Sequence, residues 1–310
     1  MNNYKPEGVL ISSIENGELI SSEKGLERAL EKQITLEAVA VLCDQDFNLH
    51  VSLASNVKGI IPRNEAQYAE SDQVKDIAIL TRVGKPVCFK VCGFTRNSYG
   101  EKTAILSRKN AQRECYENYI SALRAGDIIQ SRITHLESFG AFVDIGCGIV
   151  SLLSIDSISV SRISHPSARL SVGDSIFTVV KSVDERGRIY VSERELLGSW
   201  EENASLFNEG ETVRGIVRSV ENYGIFIELK PNLAGLAEYK ENVYVGQSAA
   251  VYIKSIIPEK MKIKLIVIDS QDVSAIPESL KYFIDTEKIT HIDSWTYSPK
   301  SCPKIIETVF

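Results

Sequence analysis

The chain has 310 residues, 44% apolar and 25% charged, so it is long enough for two or three cores of roughly 100 residues each. Its composition excludes collagen, low-complexity disorder and a disulfide-dense miniprotein, and 35 basic against 41 acidic residues exclude a grip on nucleic acid through a broad basic face. No apolar run approaches the ~20 residues that cross a bilayer, Met1 to Glu7 opens no signal peptide, and the six cysteines (Cys43, Cys88, Cys92, Cys115, Cys147, Cys302) form no Cys-x-x-Cys pair, so a cytoplasmic chain with reduced, mostly buried thiols and neither zinc nor disulfides is expected.

In chain order, residues 1–34 read as an N-terminal arm: a short strand pair turning at Asn16-Gly17, then a helix near Glu23 to Glu31 capped by Ser21 or Ser22. Residues 35–108 carry short alternating apolar runs broken by Gly, Pro, Asn and Ser, the pattern of about five strands. Residues 109–125 switch to helix-forming composition between Asn110 and Leu123 and read as a linker helix. The strand pattern returns over 126–195, a second linker helix follows over 196–208 with Trp200 and Leu206 as packing residues, and a third strand set occupies 209–270. The tail 271–310, with Trp295, Tyr297, Pro299 and Pro303, is too short for a fourth set and is left to cap the third or contact a partner.

The three strand sets are copies of one another. Gly126-Asp127 matches Gly210-Glu211, and Phe139-Gly140-Ala141-Phe142 matches Tyr223-Gly224-Ile225-Phe226, at a common offset of 84 residues. Val172-Gly173-Asp174 matches Val245-Gly246-Gln247 at an offset of 73, because a loop is trimmed. Upstream, Phe47-Asn48-Leu49-His50, Lys58-Gly59-Ile60-Ile61, Val83-Gly84-Lys85 and Leu106-Ser107 fall in register, in a more degenerate copy. Each copy is expected to close into a small barrel, since closure removes exposed edges.

Parity along the strands sorts their faces. Ala141, Val143 and Ile145 go inward, as do Ile225, Ile227 and Leu229, and Leu49, Val51 and Leu53. Phe142 with Asp144, Phe226 with Glu228, and His50 with Ser52 then go outward, so the same outer position carries a ring in every copy. On a later strand Ile189 and Val191 go inward while Arg188 and Tyr190 go outward; in the third copy Ile263 and Leu265 go inward while Lys262 and Lys264 go outward. Phe139 and Tyr223 precede a glycine, where a bulge or sharp twist leaves their direction open. Exposed rings beside Arg or Lys form a stacking platform for single-stranded nucleic acid, at about 1–3 kcal/mol per stacked base. The alternative is that loops or a neighbouring barrel cover the rings.

The run from Gly126 to Arg194 resembles the repeated RNA-binding domain of bacterial ribosomal protein S-one. The resemblance rests on Ser138-Phe139-Gly140-Ala141-Phe142-Val143-Asp144-Ile145-Gly146, Leu152-Leu153-Ser154-Ile155, Val172-Gly173-Asp174 and Val183-Asp184-Glu185-Arg186-Gly187-Arg188-Ile189. Leu196-Leu197-Gly198-Ser199-Trp200-Glu201-Glu202-Asn203 is similar to the segment that joins consecutive domains of that family, and the likeness extends over Leu36 to Asp269. It implies an all-β chain of three tandem five-stranded OB-fold barrels joined by short linker helices. It also implies binding of mRNA or other single-stranded RNA at the small ribosomal subunit, with no cofactor. The implied RNA surface falls on Phe139, Phe142, Ser154, Asp184 and Arg188, with serine where the family usually has histidine. In the third copy it falls on Tyr223, Phe226 and Lys262, joined by Lys264, while Glu238 stands at a position where it would repel phosphate. The first copy keeps Phe47 and His50 but has Thr103 in place of the cation, which fits the docking role of the family's leading repeats.

Enzyme motifs do not assemble. Gly146-Cys147-Gly148 with Ser151 is a broken dinucleotide fingerprint, followed by Leu152 to Ile158, which reads as extended rather than helical. There is no phosphate loop, His-Glu-x-x-His or Gly-x-Ser-x-Gly; His135 and His165 belong to no constellation, and the pairs Glu201-Glu202 and Glu193 with Glu195 read as solvated. The expectation is a monomeric, non-enzymatic protein whose partners are single-stranded RNA and small-subunit ribosomal proteins, with no metal, membrane or small-molecule substrate. The alternative is a protein-protein adapter or regulatory factor built from the same barrels with little RNA affinity.

Overall fold

The computed structural model describes residues 4–54, 56–68, 74–96, 98–272 and 281–310; the start of the arm and part of the tail, residues 273–280, lie outside them. Two short helices, α1 (Ile14–Ile20) and α2 (Glu23–Lys32), precede β1 (Leu36–Cys43), β2 (Leu49–Ser52), β3 (Lys58–Ile61), α3 (Asp76–Leu80), β4 (Pro86–Arg96), β5 (Lys102–Ser107) and α4 (Arg108–Asn118). The second strand set is β6 (Ile128–Glu137), β7 (Gly140–Asp144), β8 (Val150–Ser154), a one-turn α5 (Ile155–Ile158), β9 (Ser175–Val183) and β10 (Ile189–Ser192). After α6 (Trp200–Ala204) come β11 (Thr212–Glu221), β12 (Gly224–Lys230), β13 (Leu233–Ala237), β14 (Ser248–Ile257) and β15 (Lys262–Gln271), and the tail adds β16 (Ser294–Thr296) and β17 (Glu307–Val309).

Each five-strand set closes into a barrel in the same order, first-second-third-fifth-fourth. In each, the third and fifth strands run parallel, while neighbours such as β1–β2, β9–β10 and β11–β12 pair antiparallel. The inward aliphatic set is buried as parity requires, with Leu49, Ala141, Val143, Ile225 and Ile227 all fully enclosed. Register shifts between Ala40 and Leu42 and between Val217 and Ser219 put a bulge in the first strand, which bends it enough for closure. The glycine after Phe139 and Tyr223 serves close approach rather than a bulge. A Cβ on Gly140 would lie 2.4 Å from the Leu153 carbonyl oxygen, and one on Gly224 2.5 Å from that of Ala237.

Contacts divide the chain into two compact units: Met1–Leu123 with Gln130–Arg132 and Asp144–Val150, and the remainder. In the first, Asn16-Gly17 lies inside α1 and not at a hairpin turn. Ser13 caps that helix by accepting from Asn16 N, and the Asn16 side chain binds the Glu37 carbonyl and amide at 2.9 and 2.8 Å. Ser22, not Ser21, caps α2 by accepting from Gly25 N. In the second unit the Asn232 side chain accepts from Val160 N at 2.9 Å and donates to the carbonyls of Arg194 and Gly198. Trp295 and Tyr297 cap the third barrel, packing in one cluster with Trp200, and Tyr297 donates to the Asn232 carbonyl at 2.6 Å.

Parity fails where outward-pointing carboxylates find buried partners. Asp144 is enclosed, accepting from Glu7 N at 2.7 Å and from Gly146 N and Gly148 N. Burial, with Glu7 close by, pushes its pKa up to about 7. Glu228 is only 6% exposed because Arg218 binds both its oxygens at 2.9 and 3.0 Å and Arg169 adds a third bond at 2.7 Å. Glu193 and Glu195 are fully buried rather than solvated: Tyr282 donates to Glu193 at 3.2 Å, and Thr308, Arg194 and Ser192 bind Glu195. Leu206 is 45% exposed and packs less than Trp200, and Ile155–Ile158 is a helical turn rather than extended, its Ser157 carbonyl accepting from Glu193 N and Ser192 Oγ. No helix among the described residues is long and apolar enough to cross a membrane.

Candidate nucleic-acid interface

On the second barrel Phe139, 53% exposed, meets the half-buried Phe142 edge to face, with ring centroids 6.0 Å apart and planes at 89°. On the third, Tyr223, 71% exposed, meets Phe226 at 6.2 Å and 85°. One arrangement therefore recurs at positions 84 residues apart, with one ring standing in solvent and the other seated beside it. The outward direction of Phe139 and Tyr223, which parity left open, follows from the tight approach of the next strand at the intervening glycine.

Ser154 lies beside the first ring, since Ile155 N donates to the Phe139 carbonyl at 2.9 Å. Its hydroxyl donates to Ser157 Oγ at 2.8 Å, and the exposed Lys181 reaches the same Ser157 oxygen at 3.1 Å. Asp184 faces inward to its own turn: it accepts from Arg186 N, Arg188 N and Arg188 Nε at 2.8–2.9 Å. The Arg188 backbone hydrogen bond, followed by its side chain, holds the Asp184 carboxyl below its ordinary range. Asp184 thus aims Arg188, whose side chain is 63% exposed. Arg188 stands two residues from Tyr190, which pairs across the sheet with Leu152. On the third barrel, Phe226 pairs with Leu236 and Leu236 with Lys264, so rings and lysine occupy one outward row; Lys262 is also exposed, and so is Glu238.

Two neighbours escaped the sequence reading. His135 lies flat against Phe142 at 6.4 Å and 22°, with its Nε2 2.8 Å from Glu137, and occupies the place that Ser219 takes opposite Phe226. Lys181 was legible, because Lys254 stands 73 residues further on, at the trimmed-loop offset. Among the described residues, the outer strand faces of the first barrel carry no such edge-to-face pair. Phe47 packs against the core with the Arg63 guanidinium 5.1 Å from its ring centre, and His50 is held 3.1 Å from Asp44. The rest of its outward row is Ile60 and Ile105, and Thr103 pairs with Lys58.

Residues 122–194 match the family model of the S1 RNA binding domain. That segment holds Phe139, Phe142, Ser154, Asp184 and Arg188. Over a longer span the chain is similar to small ribosomal subunit protein bS1 of Staphylococcus saprophyticus, 30% identical over 202 residues, which cover 62% of this chain and 50% of that protein. It is 26% identical to bS1 of Staphylococcus aureus strain COL over 247 residues, covering 77% and 60%, and 26% identical to that of Staphylococcus epidermidis over 286 residues, covering 87% and 70%. The chain thus spans 50–60% of the length of the first of these relatives. Among solved structures, a Streptococcus pneumoniae multidomain protein with nucleic acid binding domains aligns over 76% of this chain and 73% of its own at 15% identity, with a TM-score of 0.25. Bacillus subtilis GSP13 aligns over 28% and 74% at 25% identity, with a TM-score of 0.24.

Proposed function

We propose that the chain is a single-stranded RNA-binding protein of translation, holding mRNA on the outer faces of its second and third barrels. The carrying observation is the ring pair that recurs with the same edge-to-face geometry, Phe139 with Phe142 and Tyr223 with Phe226. An exposed ring accepts any base face, and Arg188, Lys262 and Lys264 supply phosphate contacts that a net charge of −6 leaves local. The S1 RNA binding domain and the bS1 relatives support a ribosome-associated, cytoplasmic and non-enzymatic role. The first barrel favours a protein contact with the small subunit, because Val41, Leu42, Ile77 and Leu80 are each 46% or more exposed there. The adapter reading extends that contact to the whole chain and removes the RNA.

Fluorescence anisotropy with a labelled single-stranded RNA at two salt concentrations separates the readings. Phe142→Ala and Phe226→Ala are each expected to weaken binding by about 1–3 kcal/mol, and affinity should fall with salt by about 0.7 log units per log unit for each phosphate held. Arg188→Ala should weaken binding by about 1–3 kcal/mol, with little change of slope because Asp184, 2.8 Å away, already neutralises its charge. Folded variants with unchanged affinity, or no binding at low salt, would make the adapter reading the better one.

A further inference from the structure

Two equivalent faces of the second and third barrels end up differently dressed. At the offset of 73 residues, Phe177, Val179 and Lys181 of β9 correspond to Ala250, Tyr252 and Lys254 of β14. On the second barrel the tail covers this face: Tyr282, Ile284, Ile292 and Phe310 pack over Phe177, Val179, Ile128 and Leu196. On the third barrel no described residue covers it, and Tyr252 is 38%, Ile266 48% and Ile268 51% exposed. Tyr252 pairs with Ile266 on one side and Thr212 on the other, and Arg214 pairs with Ala250.

Cations surround this open face. Arg214, Lys254, Lys262 and Lys264 are all exposed, and among the described residues none of their side chains has a hydrogen bond or ion pair; the exposed carboxylates nearby are Asp269 and Glu238, with Glu211, held by Asn208, and Glu209, held by Ile256 N, at the Tyr252 end. Lys264 belongs to the row of Phe226 and Leu236 and stands two residues from Ile266 on β15, so the open face is continuous with the ring pair. A protein partner would have to desolvate several lysines, which interface cores disfavour. A phosphate chain neutralises them, and Tyr252 offers a further base a π-face.

We propose that RNA held on Tyr223 and Phe226 continues over Lys264 onto the β11–β14–β15 face, where Tyr252 stacks another base and Arg214 and Lys254 take phosphates. This rests on the RNA-binding reading above. At about 5 Å per strand step and about 7 Å per two residues along a strand, the route from Phe226 through Lys264 and Ile266 to Tyr252 is roughly 20 Å. Such a length suits a barrel that takes about 4–16 nucleotides.

The test uses the full chain carrying Phe142→Ala, which weakens the second platform, and labelled oligouridines of about 4 and about 12 nucleotides, lengths at the two ends of a barrel's range. Adding Phe226→Ala should weaken both RNAs. Adding Tyr252→Ala should weaken the longer by about fivefold or more and the shorter less than about twofold. Lys254→Gln, a surface change that spares the fold, should flatten the salt slope for the longer RNA by about 0.7. If Phe226→Ala weakens binding while Tyr252→Ala and Lys254→Gln leave the longer RNA's affinity and slope unchanged, the extended track is overturned and the ring platform stands. If Phe226→Ala also changes nothing, the RNA-binding reading of this barrel falls with it.

Discussion

Glu228 is the acceptor of a buried three-charge cluster, and its removal and that of one arginine should have unequal effects. Its side chain is 7% exposed; Arg218 grips both oxygens, while Arg169, 5% exposed, offers only Nη2 at 2.7 Å. The Arg169 Nε and Nη1 atoms are buried and meet no acceptor, and burial lowers the Arg169 pKa despite the carboxylate. Glu228→Gln would leave two guanidiniums without a counter-charge, which costs about 3–5 kcal/mol. Arg169→Met loses one charge-assisted bond, worth about 1.5–3 kcal/mol, but relieves two unpaired donors at about 1–3 kcal/mol each, so it should be neutral within about 1 kcal/mol or stabilising. Both tryptophans, Trp200 and Trp295, lie in the third-barrel cluster, so intrinsic fluorescence reports this barrel during urea unfolding. At ~2 kcal/mol/M, Glu228→Gln should move the midpoint down by about 2 M. A shift under about 0.5 M, or an Arg169→Met variant as unstable as Glu228→Gln, would refute the reasoning at that same m-value.

Burial raises Glu193 from its ordinary value to about 8. A raised carboxyl contributes stability that is complete below its unfolded pKa, near 4.5, and is lost as pH climbs through 8. Glu193→Gln should therefore show a flatter fall in Tm between pH 6 and 9 than the parent; parallel curves would show that Glu193 does not titrate in this window. Glu7 should behave oppositely. Burial works to raise its pKa, but the Arg108 guanidinium, at 2.7 and 3.0 Å, prevails and lowers it. Its stabilisation is thus present above its unfolded pKa and lost as pH falls below about 4.5. Glu7→Gln should cost about 3–5 kcal/mol at pH 7 and less at pH 3, measured by thermal unfolding; an equal loss at both pH values would count against the pair.

The barrels and the rings were legible because they depend on local alternation and on a repeat with constant offset. Phe142, Phe226, Lys262 and Lys264 all point outward as a period of two demands. Parity reports direction from a strand, however, and not what lies beyond it. Asp144 and Glu228 leave their strands on the polar side, Glu193 and Glu195 follow the end of β10, and all four are buried by distant segments, including Glu7, Arg169, Tyr282 and Thr308. The same limit explains Asn16-Gly17: as an isolated pair it is a hairpin signal, and only the Glu37 backbone, 21 residues away, makes Asn16 a helical docking residue. His135 carried no motif, since its place against Phe142 comes from a cross-strand neighbour that lies seven residues away.

Cation pairing separates the barrels more sharply than cation number. On the first, Lys102 binds Glu23 and Glu27, Lys58 binds Glu101, Arg63 binds Asp76 and Lys90 binds Glu114, so these charges are already neutralised within the fold. On the third, Lys262 and Lys264 are exposed and unpaired among the described residues, next to the row that carries Phe226. Salt weakens RNA binding in proportion to the phosphates that replace released counterions, at about 0.7 per phosphate for single strands. The pair Lys262→Gln and Lys264→Gln should therefore reduce the slope of log affinity against log salt by about 1.4. The pair Lys58→Gln and Arg63→Gln should leave it unchanged, because those cations would have to abandon carboxylates at 2.8 and 2.6 Å to reach a phosphate. If the first-barrel pair flattens the slope as much as the third-barrel pair, those surface bridges open on binding, and the first barrel holds RNA as well.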